Sequence, residues 1–200
     1  MTYWERHARR YDRVTRLLNG HLDAMSAHVG EALNGSGDVL EVAAGTGLVS
    51  VAVAPRVKRY VATDRTPEML DLLRGRLAEH PQVEIRPADA LDLPFPDHSF
   101  DGVVIANLLH LLPEPARALD EARRVLRPGG LLVGPTFCHD AGPGARCTSR
   151  ALRLTGFPVV TRFVGPELDA LVQSCGFDVV ESRWFTGLMP IRSVVARRER

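Results

Sequence analysis

Apolar residues recur at helical spacing along the first part of the chain, through Tyr3, Tyr11, Val14, Leu17, Leu18, Leu22, Met25, Val29 and Leu33. The pattern predicts two or three helices, broken near Asn19-Gly20 and ended by Asn34-Gly35-Ser36-Gly37. The period then changes. Val39-Leu40-Glu41-Val42 is a short apolar run that stops at glycines, followed by a helical stretch over 48–54. Residues 60–63, 83–86, 100–106 and 131–134 read as further strands. Helices starting at Thr66-Pro67 and running to His80, and over 113–126, lie between them. The second of these closes at a turn, Pro128-Gly129-Gly130.

Strands alternating with helices predict an α/β fold with a parallel sheet and right-handed crossovers. The tail departs from that rule. A helix over 165–174 precedes two strands over 177–184 and 191–196, and the short stretch between them predicts an antiparallel hairpin. Residues 138–165 are rich in glycine and proline and lack a long period, so they form a long loop or a broken helix, a kind of segment that usually serves function.

Two hundred residues suit one α/β domain. Within it we expect an N-terminal helical cover (1–36), a ligand-binding core (37–137), a lid or substrate segment (138–165), and a C-terminal helix with its hairpin (166–200). The net charge of +1 gives no long-range attraction to nucleic acid or to an anionic membrane. Cys138, Cys147 and Cys175 show neither metal-ligand spacing nor a disulfide framework, which favours a reducing cytoplasm and no metal. With no apolar signal core and no run long enough to span a bilayer, a cytoplasmic protein without stable membrane insertion is expected.

In an open α/β sheet a ligand sits beyond the carboxyl ends of the strands, where strand order switches. The first strand ends in Glu41-Val42-Ala43-Ala44-Gly45-Thr46-Gly47, whose glycines permit a tight turn and close approach of a ligand. Three further polar groups follow at successive strand ends: Asp64, Asp89 and Asn107. Asp64 can accept both hydroxyls of an adenosine ribose, or cap the helix that starts near Pro67. Asp89 is placed to accept from an adenine amino group. Together these groups predict a site for a polar, adenosine-bearing ligand.

The run from Val39 to Gly47, Asp64, Ala88-Asp89-Ala90, Phe95-Pro96-Asp97-His98-Ser99-Phe100-Asp101 and Arg124-Val125-Leu126-Arg127-Pro128-Gly129-Gly130 resembles the successive motifs of class I S-adenosylmethionine-dependent methyltransferases. The resemblance is closest to the branch of the ubiquinone and menaquinone C-methyltransferases, and it covers roughly the middle two-thirds of the chain. It implies a Rossmann-like, mostly parallel seven-stranded sheet with an antiparallel C-terminal hairpin and helices on both faces. It also implies S-adenosyl-L-methionine as cofactor, with Glu41, Ala43, Gly45 and Gly47 around the methionine moiety. Asp64, Arg65 and Met69 would then flank the ribose, Asp89 and Ala90 the adenine, with Asn107 completing the site and Tyr11 folding over it. Ala43 stands where many members carry glycine, which is tolerable if its φ is negative.

A sulfonium methyl is already electrophilic, so the chain has only to align an acceptor and exclude water, with a base where the acceptor must lose a proton. His110 and His139, just beyond the fourth and fifth strands, are the candidate bases. Tyr3, Trp4, Tyr11, Phe157 and Phe163 would cover a small, partly hydrophobic acceptor, with Trp184, Phe185 and Met189 as further candidates. The absence of a basic stripe argues against nucleic acid as partner, and a homodimer stays open. Three rival readings remain: an NAD(P)-dependent oxidoreductase, for which Arg65 could meet a 2′-phosphate, a cofactor-binding protein without transferase activity, and a cofactor-binding enzyme that catalyses something else, such as a rearrangement. Ser50, where the dinucleotide fingerprint has Gly or Ala, weighs against the first.

Overall fold

The structure, a computed structural model, describes residues 20–139, 142–154, 160–187 and 189–200. In chain order its helices are α1 (Leu22–Ala32), α2 (Ser50–Val53), α3 (Pro67–Arg76), α4 (Pro115–Val125), α5 (Pro143–Leu154) and α6 (Gly165–Ser174). The strands are β1 (Asp38–Val42), β2 (Arg59–Asp64), β3 (Val83–Pro87), β4 (Phe100–Ile105), β5 (Leu126–Phe137), β6 (Phe177–Phe185) and β7 (Ile191–Arg198). They form one seven-stranded sheet in the order β3-β2-β1-β4-β5-β7-β6. The first five strands pair in parallel, and β7 pairs antiparallel with both β5 and β6.

Both faces of this sheet are covered, which explains why its strands read as unbroken apolar runs. Side chains alternate along a strand, so each run feeds two cores. Leu40, Val61, Val103 and Ile105 join Leu119 and Ala122 of α4 and Leu168 and Val172 of α6 on one face. Val39, Tyr60, Ala62 and Val104 join Met25 and Val29 of α1, Val53 of α2 and Leu73 of α3 on the other. The order reverses at β1, which has β2 on one side and β4 on the other. Loops leaving β1 and β4 therefore diverge, and a crevice opens at their carboxyl ends.

Several elements differ from the sequence expectation. The stretch Pro128-Gly129-Gly130 is no turn between helix and strand. It is a bulge inside β5, where the register steps from Phe100 opposite Leu126 to Gly102 opposite Leu131. Gly129 has φ +78°, and the Arg127 guanidinium pairs with Asp101 at 2.6 Å and Asp38 at 3.3 Å, pinning the bulge across the neighbouring strands. Arg124 braces the preceding loop by donating to the carbonyls of Leu93 and Phe95. The helix expected over 48–54 shrinks to the four residues of α2, which passes into a 3-10 turn at Pro55, a residue with no N–H to extend the ladder. Segment 138–165, expected as a loop or broken helix, contains the twelve-residue helix α5. Tyr3, Trp4, Tyr11 and Phe157 lie outside the described residues.

Candidate functional site

The crevice is built from three strand ends. From β1 come Glu41, Ala43, Ala44, Gly45 and Thr46; from β2 come Asp64, Arg65, Thr66 and, on α3, Met69; from β4 come Asn107, Leu108 and Leu111. Of the eleven residues expected around a cofactor, the structure brings Glu41, Ala43, Gly45, Asp64, Arg65, Met69 and Asn107 into one wall. Gly47, Asp89 and Ala90 are not part of it, and Tyr11 is outside the described residues.

The glycine loop adopts a left-handed backbone at three positions. Gly45 (φ +57°) and Gly47 (φ +80°) satisfy this at no steric cost. Ala43 has φ +56°, so the condition under which alanine would sit there without strain is not met. Its amide plane is set by the next residue, because the Ala44 N–H donates to the Thr63 carbonyl at 2.7 Å. This bond locks the end of β1 to β2 and forces alanine into a conformation that costs about 1–2 kcal/mol. The two glycines have different reasons to lack a side chain. A Cβ on Gly45 would meet only open space, whereas one on Gly47 would lie 2.7 Å from Leu73 Cδ1. Gly47 thus serves packing against α3, and Gly45 leaves the crevice clear. With α2 only four residues long, no long helix dipole stands behind the loop, and the Ala44, Gly45 and Gly47 N–H groups are taken by the Thr63 carbonyl, the Asp64 carboxylate and the Ala44 carbonyl.

Asp64, 7 % exposed, joins the two loops. Its Oδ2 accepts from the Gly45 N–H at 2.9 Å and its Oδ1 from the Thr66 N–H at 2.8 Å. The second bond is a local turn of the kind aspartate makes with its own backbone two residues on. No side chain caps α3 itself. Asp64 therefore holds the β1 and β2 loops together while lining the crevice. Asp89 instead accepts from the Leu91 N–H at 2.9 Å in an exposed turn.

Glu41 is 1 % exposed, and its Oε2 accepts from the hydroxyls of Ser50 and Tyr60, the latter at 2.6 Å. Its carboxyl is raised to about 7, chiefly by burial, against the pull of the two hydroxyl donors and with a smaller push from the nearby Asp64 charge. Ser50 and Tyr60 escaped sequence reasoning, since nothing in their local pattern links them to a residue nine or nineteen positions away. Asn107 (φ +53°) anchors its N–H on the Pro135 carbonyl at 2.7 Å, while its side-chain Oδ1, buried in the crevice wall, has no hydrogen-bond partner among the described residues.

His110 follows β4 in a 3-10 turn and His139 follows β5; both are buried, at 1 % and 0 % exposure. Their rings lie 5.1 Å apart, and His110 meets Phe137 edge-on at 5.4 Å. Burial, and then the neighbouring His139, holds His110 well below the usual imidazole range, so its ring is neutral at neutral pH. The His110 carbonyl accepts from the Val160 and Thr161 N–H groups, which ties the segment after α5 to the end of β4. Phe163, expected as a cover for an acceptor, packs instead in the α4/α6 core, and Phe185 and Met189 pack in the opposite core. Trp184 is partly exposed, with the Arg192 guanidinium over its ring. Cys138 is buried, and its thiol is pushed up to about 11 by that burial, so it is no nucleophile.

Residues 40–134 match the family described as "Methyltransferase domain". A demethylmenaquinone methyltransferase of Clavibacter sepedonicus is 38 % identical over 167 residues, covering 82 % of this chain and 65 % of the relative. An O-methyltransferase of Aspergillus sclerotiorum, resE, is 33 % identical over 167 residues, covering 80 % of this chain and 62 % of the relative. The chain thus spans somewhat less than two-thirds of the length of either. Among solved structures, a SAM-dependent methyltransferase from Aquifex aeolicus shares the fold with a TM-score of 0.71 at 21 % identity, covering 93 % of this chain and 97 % of that one.

Proposed function

Since the chain belongs to the class I S-adenosylmethionine-dependent methyltransferases and is related to their menaquinone branch, we propose that it binds S-adenosyl-L-methionine in the crevice and transfers a methyl group to a small, partly hydrophobic acceptor. The observation that carries this reading is the convergence of Glu41, Asp64 and Asn107 from three strand ends on one crevice, with the Asn107 oxygen buried and unpartnered there. A buried acceptor without a donor is costly, so a ligand N–H belongs opposite it. Gly45 leaves the loop open to a ligand's approach.

When bound, the cofactor supplies an electrophilic methyl group on a sulfonium. The chain's own residues then have distinct tasks. Asp64 holds the two loops in register and keeps outward lone pairs for ribose hydroxyls. Arg65 and Met69 flank it. Asn107 accepts from the ligand's polar end, and Leu108 and Leu111 exclude water from the side where an acceptor approaches. The neutral His110, beside His139, takes a proton from an acceptor hydroxyl or activated carbon. The names of the relatives, a demethylmenaquinone and an O-methyl enzyme, favour a quinone-like or phenolic acceptor.

Calorimetric titration tests the assignment. S-adenosylhomocysteine should bind while NADP does not; NADP binding without S-adenosylhomocysteine binding would overturn it in favour of the oxidoreductase. The acceptor class is then tested by transfer of labelled methyl to a panel of quinols, phenols, amines and fatty acids, with the first two expected to be labelled.

A further inference from the structure

Resting on that reading, we infer that the outer stripe of α5 and the segment after it form a docking surface for an anionic lipid bilayer, from which a membrane-dissolved acceptor is taken up at the crevice rim. Charge and apolar exposure coincide there. Of the 25 basic and 24 acidic residues in the chain, four arginines and no acidic residue fall within 141–166, which leaves the remainder net negative. A net charge of +1 hides this separation. Three of the six large apolar side chains exposed among the described residues lie in the same segment: Leu154, Val160 and Val164. Leu154 is the extreme, at 91 % exposure.

Helical spacing brings the two properties onto one face. Ala145 and Ser149, four residues apart, are buried and fix the side of α5 that meets the body of the protein. The next stripe, at the same spacing, reads Arg146, Arg150, Leu154, and all three are exposed. Two guanidinium groups beside an exposed leucine suit the headgroup region of a bilayer. There the long basic side chains reach lipid phosphates, and the apolar one enters the acyl boundary. A nucleic acid would take the arginines and leave Leu154 and Val160 in water.

This surface is continuous with the crevice rim. The Val160 and Thr161 N–H groups donate to the His110 carbonyl at 3.1 and 3.0 Å, and the Thr161 hydroxyl donates to the Leu112 carbonyl at 2.6 Å. His110 and Leu112 flank Leu111, which lines the crevice. The segment that follows α5 is thus bonded to the turn that carries the leucine side of the crevice. A bilayer seated on α5 and Val160 meets that side directly, so an apolar acceptor enters without crossing water.

The test is co-sedimentation of the whole chain with vesicles of phosphatidylglycerol and phosphatidylcholine, compared with vesicles of phosphatidylcholine alone. Binding to the anionic vesicles should be stronger by a factor on the order of ten or more, and should weaken as salt rises from about 0.1 M to about 0.5 M. Arg146→Gln combined with Arg150→Gln should lower it on the order of tenfold. Leu154→Gln should lower the binding that persists at the higher salt. All three positions lie outside the crevice, so S-adenosylhomocysteine affinity by calorimetry should be unchanged in these variants. No binding to either vesicle, equal binding to both, or binding that the substitutions leave unchanged overturns the inference. So does capture by single-stranded RNA in preference to the vesicles. Should a variant also lose S-adenosylhomocysteine, the unaltered protein decides: vesicle binding insensitive to salt overturns the inference, and binding that salt weakens supports it. Vesicle binding without S-adenosylhomocysteine binding would sink the functional reading and leave the lipid contact standing.

Discussion

At the carboxyl ends of β1 and β2, carboxylates and backbone hold one another; at the ends of β4 and β5, rings lean on rings. On the first side, Asp64 takes N–H groups from two loops and Glu41 takes two hydroxyls, so the wall is fixed by short directional bonds. On the second, His110, His139 and Phe137 meet by ring contacts in a buried cluster, beside Leu108 and Leu111. The contrast teaches a division of labour. Under the proposed function, a polar cofactor of fixed shape suits a wall whose hydrogen bonds are set in advance, while an apolar acceptor suits the leucine side; the neutral His110 is buried and does not itself line the crevice.

Changes on either side should separate the two halves. The largest effect is expected from the rings: His110→Gln or His139→Gln should lower turnover of a methyl acceptor by roughly 100-fold or more, with S-adenosylhomocysteine affinity unchanged by calorimetry. Full turnover in both variants would leave the ring side as packing and shape alone. Next comes Asp64→Ala, which strips the acceptor from two backbone N–H groups at once. Its affinity for S-adenosylhomocysteine should fall on the order of 100-fold, since each orphaned donor costs about 1–3 kcal/mol; unchanged affinity would make the aspartate dispensable to the cofactor side.

The smallest effects lie within the glycine loop, and thermal or denaturant unfolding should rank them. Gly47→Ala combines a left-handed φ with a contact at 2.7 Å from Leu73, and should lose about 2 kcal/mol or more. Gly45→Ala has the same backbone strain but open space, and should lose about 1 kcal/mol. Ala43→Gly relieves strain at φ +56° but adds freedom to the unfolded chain, for a net gain below about 1 kcal/mol. Equal losses at Gly45 and Gly47 would mean that the packing against α3 carries no weight.

The wall at the ends of β1 and β2 is more legible in the sequence than the ring cluster at the ends of β4 and β5, for a physical reason. Glu41, Asp64 and Asn107 lie at or near the carboxyl ends of three neighbouring parallel strands, and such ends share one rim, so topology gathers them. Local pattern carries no sign of φ, so the strain at Ala43 is not legible in it; the bond from Ala44 to Thr63 joins residues far apart in the chain. The same holds for Pro128-Gly129-Gly130. Those residues have the composition of a turn, and only the pairing of Arg127 with Asp38 and Asp101 makes them a bulge within a strand. The contact between His110 and His139 depends on β4 and β5 lying side by side, so each histidine was visible as a rim residue but their adjacency was not. Phe163 misled because an aromatic residue in a glycine- and proline-rich stretch looks available, whereas the chain folds it into the core behind α6.

One feature of the sheet bears on how the molecule is made. Strand β7 is synthesised after β6 yet lies inside it, between β6 and β5. Until the ribosome has released β7, the edge of β5 carries a row of unpaired amides and carbonyls, and the cores on both faces lack Val194 and Val195. During that interval the nascent chain presents an adhesive edge to its neighbours. Closing the sheet then requires a pairing between segments some sixty residues apart, the slow kind of contact in folding. A chain shortened within β7 would lose the keystone between two parts of its sheet rather than a fringe, and its fate would be capture by chaperones or aggregation before any question of catalysis arose.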